Sequence, residues 1–173
     1  WDHVTPGDER FERPVIGAPR ADGASLSTEP SGRVVLCTEH LFPDEEGVSA
    51  WNQQHVLTGV RVNGGWPVRV ATPGRYRFEF RRWPQEVDAP IAGLPGDEYE
   101  DAGAAARNPA FLWDEEVGDT LYGLTGDAEA MALPVASIRV QVGANVLTLD
   151  VDDGATSVVT DVPLPSGDQW LRA

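Results

Sequence analysis

The chain has no lysine. All 13 of its basic residues are arginine, set against 28 carboxylates, for a formal charge of −15. A field of that sign repels phosphate backbones, so nucleic acid is not expected as a partner. Without lysine there is also no phosphate-cradling glycine loop ending in one. Arginine-only usage fits GC-rich coding, and it fits adaptation to high salt, where screening makes a dense acidic surface tolerable. Both readings stay open, and neither names an activity. Cysteine occurs once, at Cys37, so no internal disulfide supports the fold. No apolar run reaches the length of a membrane-spanning helix, and no basic-then-apolar signal segment is present; no membrane partner is expected. The chain begins at Trp1 rather than Met, as a mature product, a processed chain or an excised domain would.

The common chemical motifs are missing too. His3, His40 and His55 share no metal-ligand spacing, and no metal site is expected. Cys37 and His40 lie three apart, which on a strand puts them on opposite faces. No Gly-x-Ser-x-Gly elbow occurs, which argues against the common serine hydrolase arrangement. The acid runs Asp97-Glu98-Tyr99-Glu100-Asp101 and Asp114-Glu115-Glu116 lack the spacing of a calcium loop and read as a solvated face. With 28 acids, no carboxylate pair stands out as a glycosidase site.

What is present is β-pattern. Val68 and Val70 alternate with Arg69; Tyr76, Phe78 and Phe80 alternate with Arg75, Arg77, Glu79 and Arg81. A period of two marks strands with one buried face. Ala71-Thr72-Pro73-Gly74 between them has turn chemistry, with Pro fixing φ and Gly accepting a positive one, so the two arms are expected to form a β-hairpin. Arg33-Val34-Val35-Leu36-Cys37-Thr38 reads as a buried strand, with Cys37 structural. Residues 13–17 read as a short edge strand with Pro14 near its start. Residues 136–142, 145–151 and 158–162 read as strands, 163–167 as a loop, and 169–172 as a short closing strand. No periodic stretch supports a secure helix. The expected fold is all-β, an antiparallel β-sandwich with a long acidic loop excursion. Residues 1–32 form a lead-in from a preceding domain, and 33–173 form the sandwich, with an insertion at about 92–130.

One set of residues could contact a ligand. Trp51, Gln53, Trp66, Arg81, Arg82 and Trp83 gather around the 66–83 strands. Exposed tryptophan beside arginine stacks on a sugar ring while the guanidinium holds an anion. That would suit a carbohydrate-binding module for sulfated or neutral carbohydrate. The competing reading is that the tryptophans plug the ends of the sandwich. Arg81 and Arg82 are consecutive and face opposite ways, so one of them is expected to be buried against a carboxylate such as Glu86 or Asp88.

The same stretch resembles a known family. Trp51-Asn52-Gln53, Asn63-Gly64-Gly65-Trp66, Gly74-Arg75-Tyr76-Arg77-Phe78, and Arg81-Arg82-Trp83-Pro84 with Glu86 are similar to the C-terminal domain of bacterial-type arylsulfatases. The likeness extends to Pro14-Val15-Ile16-Gly17, Val35-Leu36-Cys37-Thr38, Ala132-Leu133-Pro134-Val135-Ala136 and Leu164-Pro165-Ser166-Gly167. Glu39-His40-Leu41-Phe42 stands where the family carries an Asp-Trp-His type element. The resemblance implies a non-catalytic accessory domain that packs on a sulfatase catalytic domain. It implies that sulfate-ester chemistry belongs to that larger domain. There a Cys/Ser-x-Pro-x-Arg motif supplies formylglycine beside a divalent cation. Here Cys37-Thr38-Glu39-His40-Leu41 has neither the Pro nor the Arg. The chain itself is therefore expected to carry no cofactor and no catalytic residue.

Overall fold

The computed structural model describes residues 13–18, 33–37, 41–44, 56, 59, 62–95 and 131–173. The acid runs of the excursion lie outside these residues, as do Trp51 and Gln53.

The fold is an all-β sandwich. Its strands are β1 (Val15–Ile16), β2 (Phe42–Pro43), β3 (Gly64–Val70), β4 (Gly74–Phe80), β5 (Ser137–Val142), β6 (Asn145–Asp150), β7 (Val158–Leu164) and β8 (Gly167–Arg172). The larger sheet runs β1-β3-β8-β5-β6, with β2 also paired to β3, and β4 and β7 make the smaller one. Pairing is antiparallel except between β1 and β3. The inward side chains of both sheets meet in one core: Ile16, Val68, Val70, Val140, Val142 and Leu171 from the larger, Val162 and Leu164 from the smaller. Tyr76, Phe78 and Phe80 pack on it from β4. Val68 is fully buried and Val70 and Val140 nearly so, as the period-two pattern requires.

The expected hairpin is absent. β3 and β4 have the alternation read from the sequence, yet they do not pair with each other. Both edges of β3 are occupied. Val70 lies opposite Gly167 of β8 on one side and Ile16 of β1 on the other. Residues 71–73 therefore carry the chain from one sheet across to the other. β4 pairs along its whole length with β7, from Gly74 opposite Leu164 to Phe80 opposite Val158. The corner is fastened by Tyr76, whose hydroxyl donates to the Thr72 carbonyl and rests against Gly17, which has a φ of 71°.

Other expectations were met or corrected locally. β1 is an edge strand, as read. Residues 33–37 alternate in burial but contribute only an isolated bridge at Val34; Val34 and Leu36 pack against the core, and Cys37 is exposed rather than buried. The expected loop at 163–167 shortens to Pro165 and Ser166, because β7 extends through Pro163 to Leu164 and β8 begins at Gly167. β7 has one sheet neighbour, so a residue without an N–H is tolerated there. β8 is not a short closing piece. It lies centrally, between β3 and β5.

Prolines and glycines are placed where the sheet needs them. The amide of Arg69 donates to the carbonyl of Pro14, just before β1, and that of Ala71 to the carbonyl of Ile16 in β1. Pro67 faces the same side two residues earlier, before the β1 pairing starts at Arg69. On the outer face, Arg69 Nε meets Asp168 at 2.9 Å and Arg13 Nε lies 3.4 Å from it, joining β3, β8 and the approach to β1. The hydrogen bond from Arg69 holds the Asp168 carboxyl below its ordinary pKa. At this exposure such a group contributes little. Gly64 is a tighter requirement. A Cβ there would land on the Phe42 carbonyl oxygen and 3.0 Å from the Pro43 Cα, all main chain that cannot swing aside. Gly64→Ala is expected to cost about 1–3 kcal/mol by forcing β2 away from β3. The urea midpoint should fall at unchanged m-value; a wild-type midpoint would show that β2 yields freely.

Candidate functional site: the Arg82–Trp83 clasp

β4 ends at Phe80, and the chain then turns through Arg81-Arg82-Trp83-Pro84 into a single 3-10 turn, Gln85–Val87. The chain bends at Arg82 and Trp83, so strict alternation ends after Arg81 and both of these residues turn inward. Arg81 turns outward, and its Nε meets Glu79 Oε1 at 2.5 Å, two residues back on the same face. Arg82 turns inward.

The Arg82 guanidinium donates to three main-chain carbonyls from three separate segments: Gly93 at 3.1 Å, Val56 at 2.9 Å and Met131 at 2.7 Å. Burial lowers its pKa, but a guanidinium keeps its charge throughout the working range. Neither Glu86 nor Asp88, the carboxylates expected, is among these three acceptors, all of which are main-chain carbonyls. A planar fork with five N–H groups suits this task, because it can reach several fixed acceptors at once.

Gly93 and Met131 lie at the borders of the stretch read from the sequence as an acidic excursion (about 92–130), so Arg82 joins the segments leading into and out of it, here called its neck. The neck is also closed by Leu133 N–H to the Ala92 carbonyl at 3.0 Å and fixed to the turn after β6 by Ile91 N–H to the Ala155 carbonyl at 2.8 Å. Trp83 supports the arginine from beneath. Its ring lies 4.4 Å from the Arg82 Cζ, close enough for a cation–π contact. Its indole N–H donates to the Pro90 carbonyl at 3.0 Å. Trp83 is 2% exposed, and Ala89 and Ile91 are buried in the same segment. The turn from the 3-10 segment into this stretch goes through Asp88, a non-glycine residue at φ 46°.

Trp66 is half-buried against the main core, and its indole N–H donates to the Cys37 carbonyl at 2.8 Å. At the other end of that segment Arg33 donates to Gln85 Oε1 at 2.8 Å. Segment 33–37 thus ties the start of β3 to the turn beyond β4. The structure brings Arg82 and Trp83 together, sends Arg81 to the opposite face, and gives Trp66 a separate anchor. Sequence reasoning passed over one aromatic residue. Trp170 faces outward on β8 and is 37% exposed. The signal was the alternation Asp168-Gln169-Trp170-Leu171-Arg172, which assigns Trp170 and Leu171 to opposite faces.

Among the described residues, no three His, Cys, Asp or Glu side chains group so as to hold a metal ion. No helix there is long and apolar enough to cross a membrane. No family model matches this chain, and neither does any curated protein or solved structure.

Proposed function

We propose that this chain is the non-catalytic C-terminal accessory domain of an arylsulfatase-like sulfuric ester hydrolase, packing on the catalytic domain and shaping a wall of its substrate cleft. The observation that carries this reading is the use made of Arg82 and Trp83. In the block that resembles the family, the guanidinium and the indole N–H are bonded to the protein's own carbonyls. The Arg-Arg-Trp-Pro element therefore builds architecture. The formylglycine and divalent cation belong, on this reading, to the catalytic domain. Cys37 lacks the motif that would supply the formylglycine, and among the described residues no cluster has the donor set for a cation. No chemical step is assigned to this chain.

The test is the reading frame upstream of the Trp1 codon, joined to a reconstitution. The frame is expected to encode a domain with a Cys/Ser-x-Pro-x-Arg motif. That domain, expressed separately, should co-elute with the present chain and gain aryl sulfatase activity from it. An upstream frame without such a motif would overturn the proposal.

A further inference from the structure

We propose that Trp170 is the centre of a sugar-binding platform on the outer face of the larger sheet, taking a neutral hexose of an extended glycan. This inference is independent of the sulfatase reading and concerns a different surface from the Arg82–Trp83 clasp.

The platform is built by three strands. Trp170 lies opposite Pro67 of β3 in the register, on the face away from the core. The neighbouring Gly65 gives it room: a Cβ there would sit 2.9 Å from Trp170 Cε3. The indole thus rests against β3 main chain where no side chain intervenes. Phe42 of β2 braces it edge-on, with ring centroids 6.3 Å apart and planes at 85°. Trp170 keeps 37% of its surface exposed, a sizeable apolar area for a side chain outside the core.

The indole N–H separates this tryptophan from Trp66 and Trp83. Theirs donate to the carbonyls of Cys37 and Pro90, whereas that of Trp170 makes no hydrogen bond within the described residues. Polar groups lie directly at the rim. The Arg172 Cζ is 5.7 Å from the Trp170 ring centroid, and its Nη1 is held by both oxygens of Asp44, each at 2.7 Å. Gln141, opposite Arg172 on β5, donates from Nε2 to the Gly143 carbonyl at 3.2 Å, and its amide oxygen remains an acceptor.

A partly exposed ring whose N–H makes no hydrogen bond within the described residues, beside an arginine paired to a carboxylate and with a glutamine in register with that arginine on the next strand, is complementary to a hexose. The sugar C–H face covers the indole, and its hydroxyls both donate and accept. A protein partner would enclose the Asp44 carboxylate that holds Arg172, and aspartate is depleted at interface centres; sugar hydroxyls can donate to it. The sugar is neutral because Asp44 already compensates Arg172 and the chain carries −15, a field that repels sulfated and uronic polymers.

The test uses the nitrogen-15-labelled 173-residue chain, whose indole N–H resonances report each tryptophan. Neutral gluco-, xylo- and manno-hexasaccharides are titrated at millimolar concentration, with dextran sulfate in parallel. At least one neutral oligosaccharide is expected to shift the resonance that disappears in Trp170→Phe, leaving those of Trp66 and Trp83 in place. Trp170→Ala should weaken binding at least about tenfold. The proposal is overturned if no neutral oligosaccharide shifts the Trp170 resonance, if dextran sulfate shifts it equally, or if Trp170→Ala binds as wild type. Mapping in the native chain decides even where the alanine variant misfolds.

Discussion

Replacing Trp83 with alanine is expected to lower stability by about 3–5 kcal/mol, the range for deleting a large buried aromatic side chain. Three losses combine. The ring is 2% exposed, so its removal leaves a cavity beneath the neck of the excursion. The Pro90 carbonyl loses its donor, at about 1–3 kcal/mol for a buried acceptor left unmatched. The Arg82 guanidinium loses the ring 4.4 Å away. A domain of this size has a total stability of roughly 5–15 kcal/mol, so the change removes a large share of it. Urea denaturation followed by far-UV circular dichroism measures it. Trp83→Phe separates the contributions, since it keeps most of the packing and cation–π contact and loses the N–H. It should fall between wild type and Trp83→Ala. A loss below about 0.5 kcal/mol for Trp83→Ala, the range of ordinary surface substitutions, would show that the clasp hangs on the sandwich without supporting it.

Strand positions were largely legible, and strand partners were not. Alternation reports that one face is buried, and Val68, Val70, Tyr76, Phe78 and Phe80 announced their faces correctly. It carries no information about which strand lies alongside. The turn chemistry of Ala71-Thr72-Pro73-Gly74 is compatible with a hairpin and equally with a crossing between sheets. What decides is that Ile16 and Gly167 already occupy both sides of Val70, contacts from the far ends of the chain. β8 was underrated for a related reason. Its outward residues Asp168, Trp170 and Arg172 make it look like a frayed terminus, while Leu171 alone shows its core side. Segment 33–37 erred the other way: its alternation is real, but only Val34 forms a bridge.

The same limit governs the site. Arg82 and Trp83 are adjacent to exposed residues in sequence, and aromatic–cation composition alone suits a ligand or the protein's own backbone. The choice turns on Gly93, Val56 and Met131, whose carbonyls converge only in the folded chain. Trp170 shows the converse. It sits in an unremarkable terminal strand, and its prominence depends on Gly65, more than 100 residues earlier, lacking a side chain.

Arg82→Met is the second change with a large expected effect, and its signature is local. Methionine keeps much of the apolar length and removes every donor, leaving the Gly93, Val56 and Met131 carbonyls without the charged partner they share. Hydrogen bonds to charged groups are worth about 1.5–3 kcal/mol each, and the three are not additive on one side chain, so a loss of about 3 kcal/mol is expected. The first consequence should be opening of the neck. The Leu133 amide, bonded to the Ala92 carbonyl, and the Gly93 amide, bonded to the Pro90 carbonyl, are expected to lose hydrogen-exchange protection by roughly 100-fold. Amides of the β5–β6 pair, remote from the guanidinium, should lose much less. Arg82→Lys should be intermediate, since a compact ammonium cannot span acceptors arranged for a planar fork. If protection falls evenly across Leu133 and the β5–β6 amides, the neck opens only with the whole sandwich and Arg82 is an ordinary core group. If Leu133 exchanges as in wild type, the guanidinium does not hold the neck closed.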